Sequence, residues 1–431
     1  MKHTKQSIIS KDGVSYLIPF ILITSCFALW GFANDITNPM VKAFSKIFRM
    51  SATDGALVQV AFYGGYFAMA FPAAMFIRKF SYKAGVLLGL GLYAFGAFLF
   101  FPAKMTGEYY PFLIAYFILT CGLSFLETSC NPYILSMGTE ETATRRLNLA
   151  QSFNPMGSLL GMYVAMQFIH WFPKLHPMGT DERALLNDSE FQAIKESDLA
   201  VLIAPYLTIG LVILAMLLLI RFVKMPKNGD QNHKIDFFPT LKRIFTQTRY
   251  REGVIAQFFY VGVQIMCWTF IIQYGTRLFM SPEYGMDEKS AEVLSQQYNI
   301  VAMVIFCISR FICTFILRYL NAGKLLMILA IFGGIFTLGT IFLQNIFGLY
   351  CLVAVSACMS LMFPTIYGIA LKGMGDDAKF GAAGLIMAIL GGSILPPLQA
   401  SIIDMKEIAS MPAVNVSFIL PFICFLVIIG Y

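Results

Sequence analysis

The sequence predicts an all-α membrane protein of twelve transmembrane helices, arranged as two six-helix halves related by a pseudo-symmetric repeat. Three observations predict it. The 431 residues are 58% hydrophobic and 13% charged, against about 25% charged in an average soluble domain. Apolar runs of the length a bilayer requires, about 20 residues each, recur along the whole chain. One long basic interruption, "KMPKNGDQNHKIDFFPTLKRIFTQTRYREG", divides those runs six and six.

The spans follow in chain order. The first, 16–38, ends in "GFANDITNPM" and carries one acid, Asp35; the second, 56–78, leads into the basic turn "IRKFSYKAG" and the third, 84–102. The fourth, 110–136, holds "LSFLETSCNPYIL", where Glu127 and Asn131 sit four residues apart ahead of Pro132. The fifth, 148–172, opens in "RLNLAQSFNPMG"; an acidic outer loop with the pattern of a surface helix separates it from the sixth, 201–224. Past the central loop come 252–276 with "AQFFYVGVQIMCW", 294–317 with "CISRFICTF", 323–343, 347–371 with "FPTIYGIALKGMG", 380–402 and 413–431. Gly and Pro inside several spans are tolerated in membrane helices. A β-barrel would show segments of about ten residues with alternating polarity, which this chain lacks.

Twelve spans place both termini on one side. The N-terminus and even-numbered loops carry twenty Lys and Arg and the other loops ten, so both termini are expected to be cytoplasmic. The net charge of +7 is then a topology signal, and no nucleic-acid partner is expected, because the cations are spread over loops instead of gathered on one face. The first apolar run is too long for a signal core and lacks a small-residue cleavage site, so the first helix is expected to stay in the product. All nine cysteines fall within expected spans and read as thiols packing as small apolar groups.

The domain expectation is an N-terminal half over 1–225, a cytoplasmic central loop over 226–250 and a C-terminal half over 251–431. An internal echo supports duplication: "IRKFSYKAGVLLGLGL" after the second span resembles "LRYLNAGKLLMILAI" after the eighth. Repeated halves with a polar site near the midplane describe a secondary transporter. No G-x-x-x-x-G-K-[ST] occurs, which argues against ATP as the energy source.

Of the twenty-four Asp and Glu, only Asp35 and Glu127 lie clearly inside spans. A central Asp costs about 2.5 to 3.5 kcal/mol on insertion scales, so both are functional candidates by default, with a purely structural hydrogen-bonded carboxylate as the alternative. Each has an amide neighbour on its helix face, Asn131 for Glu127 and Asn38 for Asp35. Desolvation in an apolar cavity disfavours the charged carboxylate, so such a group can take up and release a proton. Ionised, it accepts hydrogen bonds from sugar hydroxyls, while the amides offer donors and acceptors. Asn148, Gln151 and Asn154 form a polar stripe on the fifth helix, and Gln257, Tyr260, Gln264 and Trp268 another on the seventh. Amides beside aromatic faces suit an uncharged, hydroxyl-rich substrate; Gln151, Asn154 and Gln264 lead as ligands, and helix–helix hydrogen bonding is the other use of such groups. Arg310 closes a gate, contacts substrate, or snorkels from a helix end to the cytoplasmic interface. Four histidines at ends and loops, His3, His170, His176 and His233, form neither a metal cluster nor a proton relay, and no cofactor or metal is expected.

From Ser15 to the last span, the blocks "FLETSCNP", "RLNLAQSFN", "RKFSYKAG", "AQFFYVGVQIMCW" and "FPTIYGIALKGMG" resemble the fucose permease type of the major facilitator superfamily. The superfamily's loop signature after the second helix is degenerate here, as "MFIRKFSYKAG". The resemblance implies the major facilitator fold, proton-coupled symport of L-fucose by alternating access, sugar recognition and proton coupling at Glu127, and a cavity lined by Gln151 and Asn154. It also implies a first-helix acid where this chain has Asn38; the acid here is Asp35, with amide and carboxylate exchanged across three residues. Glucose and galactose carriers share the architecture. The expectation is therefore symport of a neutral monosaccharide across the bacterial inner membrane by a protein that works as a monomer. Rival readings are a proton-driven drug antiporter, whose cavity would be large and apolar, a membrane enzyme acting on lipid-linked sugars, which would need catalytic spacing in large loops, and a transporter-like sensor, which would need a signalling domain.

Overall fold

The structure, a computed structural model, describes residues 10–11, 14–37, 47–48, 57–160, 186–226, 237–405, 407–408 and 411–431. Helices carry the described chain. They are α1 (Leu17–Thr37), α2 (Leu57–Lys79), α3 (Tyr82–Thr106), α4 (Tyr109–Ser136), α5 (Ala143–Gln151), α6 (Asp188–Phe222), α7 (Phe237–Thr246), α8 (Thr248–Phe279), α9 (Glu288–Ile316), α10 (Ala322–Phe342), α11 (Ile346–Met359), α12 (Met362–Ala370), α13 (Ala378–Met387), α14 (Gly391–Ile403), α15 (Ala413–Val416) and α16 (Ile419–Gly430). Residues 153–160 are also helical, and the two-residue strands Glu407–Ile408 and Met411–Pro412 pair antiparallel.

Among the described residues nine helical stretches are long and apolar enough to cross a membrane. They coincide with nine of the expected spans, the third, fourth and sixth to twelfth. The second half of the fifth span, Asn38 and the side chain of Asp35 lie outside the described residues; Asp35 itself falls within α1.

The eleventh and twelfth spans are each divided, into α13 and α14 and into α15 and α16, and two further differences from expectation have a local reason. The outer-loop surface helix and the sixth span are one 35-residue helix, α6, capped by Asn187, whose side chain accepts from the Glu190 backbone N–H. At 1.5 Å per residue it is about 52 Å long, more than the roughly 30 Å hydrocarbon layer, so its charged first turns project beyond the apolar zone. The tenth span breaks at Ser360–Leu361 into α11 and α12. Pro364 has no N–H to give the Ser360 carbonyl four residues back.

The described chain forms two compact units. One comprises residues 13–137 and 153–235. There α4 packs on α3 and α2, and α6 on α3, with Phe100 and Tyr206 stacked at 4.0 Å. Gly107, with φ 64°, ends α3 in the left-handed conformation that glycine adopts without strain. Gly31 on α1 and Gly157 allow the closest backbone approach in this unit. A Cβ on Gly31 would collide with the Asn154 carbonyl, and one on Gly157 with the Ala28 carbonyl. Gly31→Ala and Gly157→Ala are each expected to destabilise the fold by about 1–3 kcal/mol or more through overpacking, seen as lost yield of monodisperse protein and a lower unfolding midpoint in detergent.

The other unit comprises residues 1–12, 138–152 and 236–431. Helix α8 is its axis, packed against α9, α11, α12, α14 and α16. The segment 138–152, which in sequence runs into the start of the fifth span, packs on α12 and α9 of this unit. Gly368 of α12 provides the close approach, since a Cβ there would lie 2.7 Å from Thr144 Oγ1.

Candidate functional site

Glu127 sits midway along α4 in a stretch from Leu119 to Ile134 that is buried throughout. It is 8% exposed, and its Oε1 accepts from the Tyr66 hydroxyl of α2 at 3.3 Å. Gly65, next to Tyr66, lets the two helices close, because a Cβ there would lie 2.8 Å from Thr120 Cβ. Ser124 Oγ donates to the Tyr66 carbonyl at 3.0 Å and fixes the same junction. Among the described residues Glu127 has no ion-pair partner. The acid is thus held by a neutral donor that serves either protonation state, since a phenol donates to a carboxylate and accepts from a carboxylic acid.

Asn131, one turn on, is fully buried, and its Nδ2 donates to the Glu127 backbone carbonyl at 3.0 Å. Asn154 Nδ2 donates to the Phe27 carbonyl of α1 at 3.1 Å, and Ser158 Oγ to the Gly31 carbonyl at 3.1 Å. The amide N–H of Asn154 therefore tethers α1, the helix that bears Asp35. This unit brings together Glu127 and Asn131 with Tyr66, which sequence reasoning did not single out, and holds Asn154 against α1. The signal was present in "FYGGYF", phenols flanking a Gly-Gly step inside a span.

In the other unit, Tyr260 is buried with its hydroxyl on the Met359 carbonyl at 3.2 Å. Trp268 Nε1 donates to Ser356 Oγ at 3.2 Å, and its ring meets Phe306 edge-on at 4.9 Å. Gln264 is half-buried between them on α8. The guanidinium of Arg310 lies 4.5 Å from the Phe306 ring centre, so Phe306 joins Trp268 to Arg310.

Arg310 is 4% exposed and does not snorkel. Its Nε donates to the Ser360 carbonyl and its Nη1 to the Gln151 carbonyl at 3.0 Å. Both acceptors precede a proline by four residues, Pro364 and Pro155. In a regular helix each carbonyl would receive the N–H of that residue, which proline lacks. One cation thus serves two carbonyls that two prolines deprive of their helical donors. Nearby, Asn148 Nδ2 donates to Thr365 Oγ1 at 3.1 Å. Gln151 itself is 5% exposed. The proline in "QSFNP" and in "SLMFP", read with an arginine in the middle of the apolar run "CISRFICTF", is the signal that would have found this junction.

Comparison with known proteins adds the following. Residues 23–397 match the family described as Major Facilitator Superfamily. The chain is 52% identical over 425 residues to a protein of Haemophilus influenzae named L-fucose-proton symporter, covering 96% of both. It is 28% identical over 412 residues to a protein of Brucella abortus named glucose/galactose transporter, covering 95% of this chain and 92% of that one. The crystal structure of an E. coli fucose:proton symporter superposes with a TM-score of 0.87 at 33% identity, covering 97% of this chain and 98% of that one.

Proposed function

Because the chain belongs to the Major Facilitator Superfamily and has its twelve-helix fold, we propose that this multi-pass membrane protein, which is not an enzyme, imports L-fucose together with protons by alternating access. The observation that carries the reading is Glu127, a carboxyl buried among apolar and neutral polar groups and held by a phenol in place of a cation. Likeness across almost the whole chain to a protein named L-fucose-proton symporter supports the sugar.

In this reading Glu127 is the main proton carrier, with Asp35 as the first-helix acid beside Asn38. Protonation removes charge that resists closure of the outer cavity, the sugar binds, and both leave on the inner side. Asn131, Gln151, Asn154, Tyr260, Gln264 and Trp268 supply hydroxyl partners and an aromatic face. Arg310 is a gate: it clasps segment 138–152 to α9 and α12, and its release is part of the passage to the other state. The protein acts as a monomer in the inner membrane, with both termini and the central loop 226–250 cytoplasmic between halves 1–225 and 251–431.

A fucose pulse given to de-energised, lightly buffered vesicles is expected to make the medium more alkaline. Entry of labelled sugar with a flat pH trace would dismiss proton coupling. A glucose or galactose substrate is the second reading, favoured by the relative named glucose/galactose transporter. Counterflow in liposomes against a panel of hexoses and deoxyhexoses decides between them, the expected result being exchange with L-fucose and little with glucose.

A further inference from the structure

Helix α7 lies in the basic segment between the sixth and seventh spans and outside every candidate span. Its side chains sort onto two faces. Thr240 and Ile244, one turn apart, are 1% and 0% exposed. Beside them Arg243 Nε and Nη2 donate to the two carboxylate oxygens of Asp377 at 2.6 and 2.7 Å, which ties this face to the turn Gly375–Asp377. Phe238 and Phe245, two turns apart and so on one side of the helix, are 78% and 42% exposed. Exposed Lys242 stands between them, and Arg249 and Arg251 are exposed on the first turn of α8.

Helix α8 starts at Thr248, two residues after α7 ends, and is long and apolar enough to cross a membrane, so the two rings lie beside the basic end of a spanning helix. Water alone disfavours exposed phenylalanine, and a purely apolar contact disfavours three cations. A headgroup layer accommodates both, with rings in the acyl boundary and cations among phosphates. We infer that α7 is a docking face for anionic phospholipid: Phe238 and Phe245 enter the acyl boundary while Lys242, Arg249 and Arg251 hold lipid phosphates. This goes beyond sugar transport and does not depend on which sugar is carried.

The test uses the full chain with Phe238→Cys labelled by a fluorophore, in a Cys351→Ser background that removes the one native thiol not buried. Nanodiscs contain equal amounts of phosphatidylcholine and phosphatidylglycerol, with bromine on the acyl chains of one lipid or the other. Brominated phosphatidylglycerol is expected to quench about fivefold more strongly than brominated phosphatidylcholine. The excess should vanish in high salt and in the Lys242→Gln, Arg249→Gln, Arg251→Gln protein. The salt arm needs none of the three charge substitutions, so the outcome stands even if the triple variant folds poorly. Equal quenching by the two lipids, or quenching by aqueous iodide instead of either, would overturn the inference.

Discussion

Glu127→Gln is expected to hold internal fucose at the external concentration while leaving counterflow running. The amide has nearly the carboxyl's shape and keeps an acceptor for the Tyr66 hydroxyl, so the packing of α4 on α2 should survive. What it lacks is a proton to release. A membrane potential contributes about 2.3 kcal/mol per charge per 100 mV, so each coupled proton supports roughly fifty-fold accumulation per 100 mV. On the proposed reading of Glu127, its substitution removes that factor without forbidding the sugar's passage. Labelled-fucose uptake in energised vesicles reads the first quantity and liposome counterflow the second. Accumulation equal to that of the unsubstituted protein would take Glu127 out of the coupling role, and loss of counterflow as well would make it a sugar ligand first.

Arg310→Met should have the next largest effect, loss of transport together with a lower unfolding midpoint. Methionine occupies much of the same volume but leaves the Ser360 and Gln151 carbonyls without the donors that Arg310 provides. A buried polar group left unsatisfied costs about 1–3 kcal/mol. Arg310→Lys should fare little better, because a single ammonium lacks the planar fork that reaches two acceptors at once. The prolines supply the control. Pro155→Ala and Pro364→Ala return a backbone N–H to those same carbonyls, so in the Arg310→Met background they should recover stability that they do not add to the parent chain. A double-mutant cycle measures that coupling, and strict additivity would show that the prolines do not create the need for the arginine. If stability returns without transport, Arg310 acts in the cycle itself, as a gate does.

Much of the architecture was legible because lipid is a severe solvent. Every span must be apolar over a bilayer's thickness and satisfy its own backbone, so the runs at 84–102 or 323–343 admit one reading. Boundaries were less legible where that constraint relaxes. Water tolerates the charged start of α6, and a break at Ser360 is tolerated because Arg310 compensates it. Within the site, Glu127 stood out by its insertion penalty alone. Tyr66 did not, because a tyrosine in a span is cheap and carries no such mark until its hydroxyl is seen on a carboxylate.

The sequence by itself determined the helical membrane class, the position of the acids on their helices, and the resemblance that points to sugar and proton. All three follow from local quantities, namely apolar length, single-residue insertion cost and contiguous motifs. Only the tertiary structure decided what each polar group touches. Arg310 could have reached outward, but two prolines distant in sequence each remove a backbone donor, and the carbonyls left wanting converge on one guanidinium. Partners so far apart in the chain meet only through packing, because hydrogen bonds depend on distances of about 3 Å that no spacing along the chain encodes.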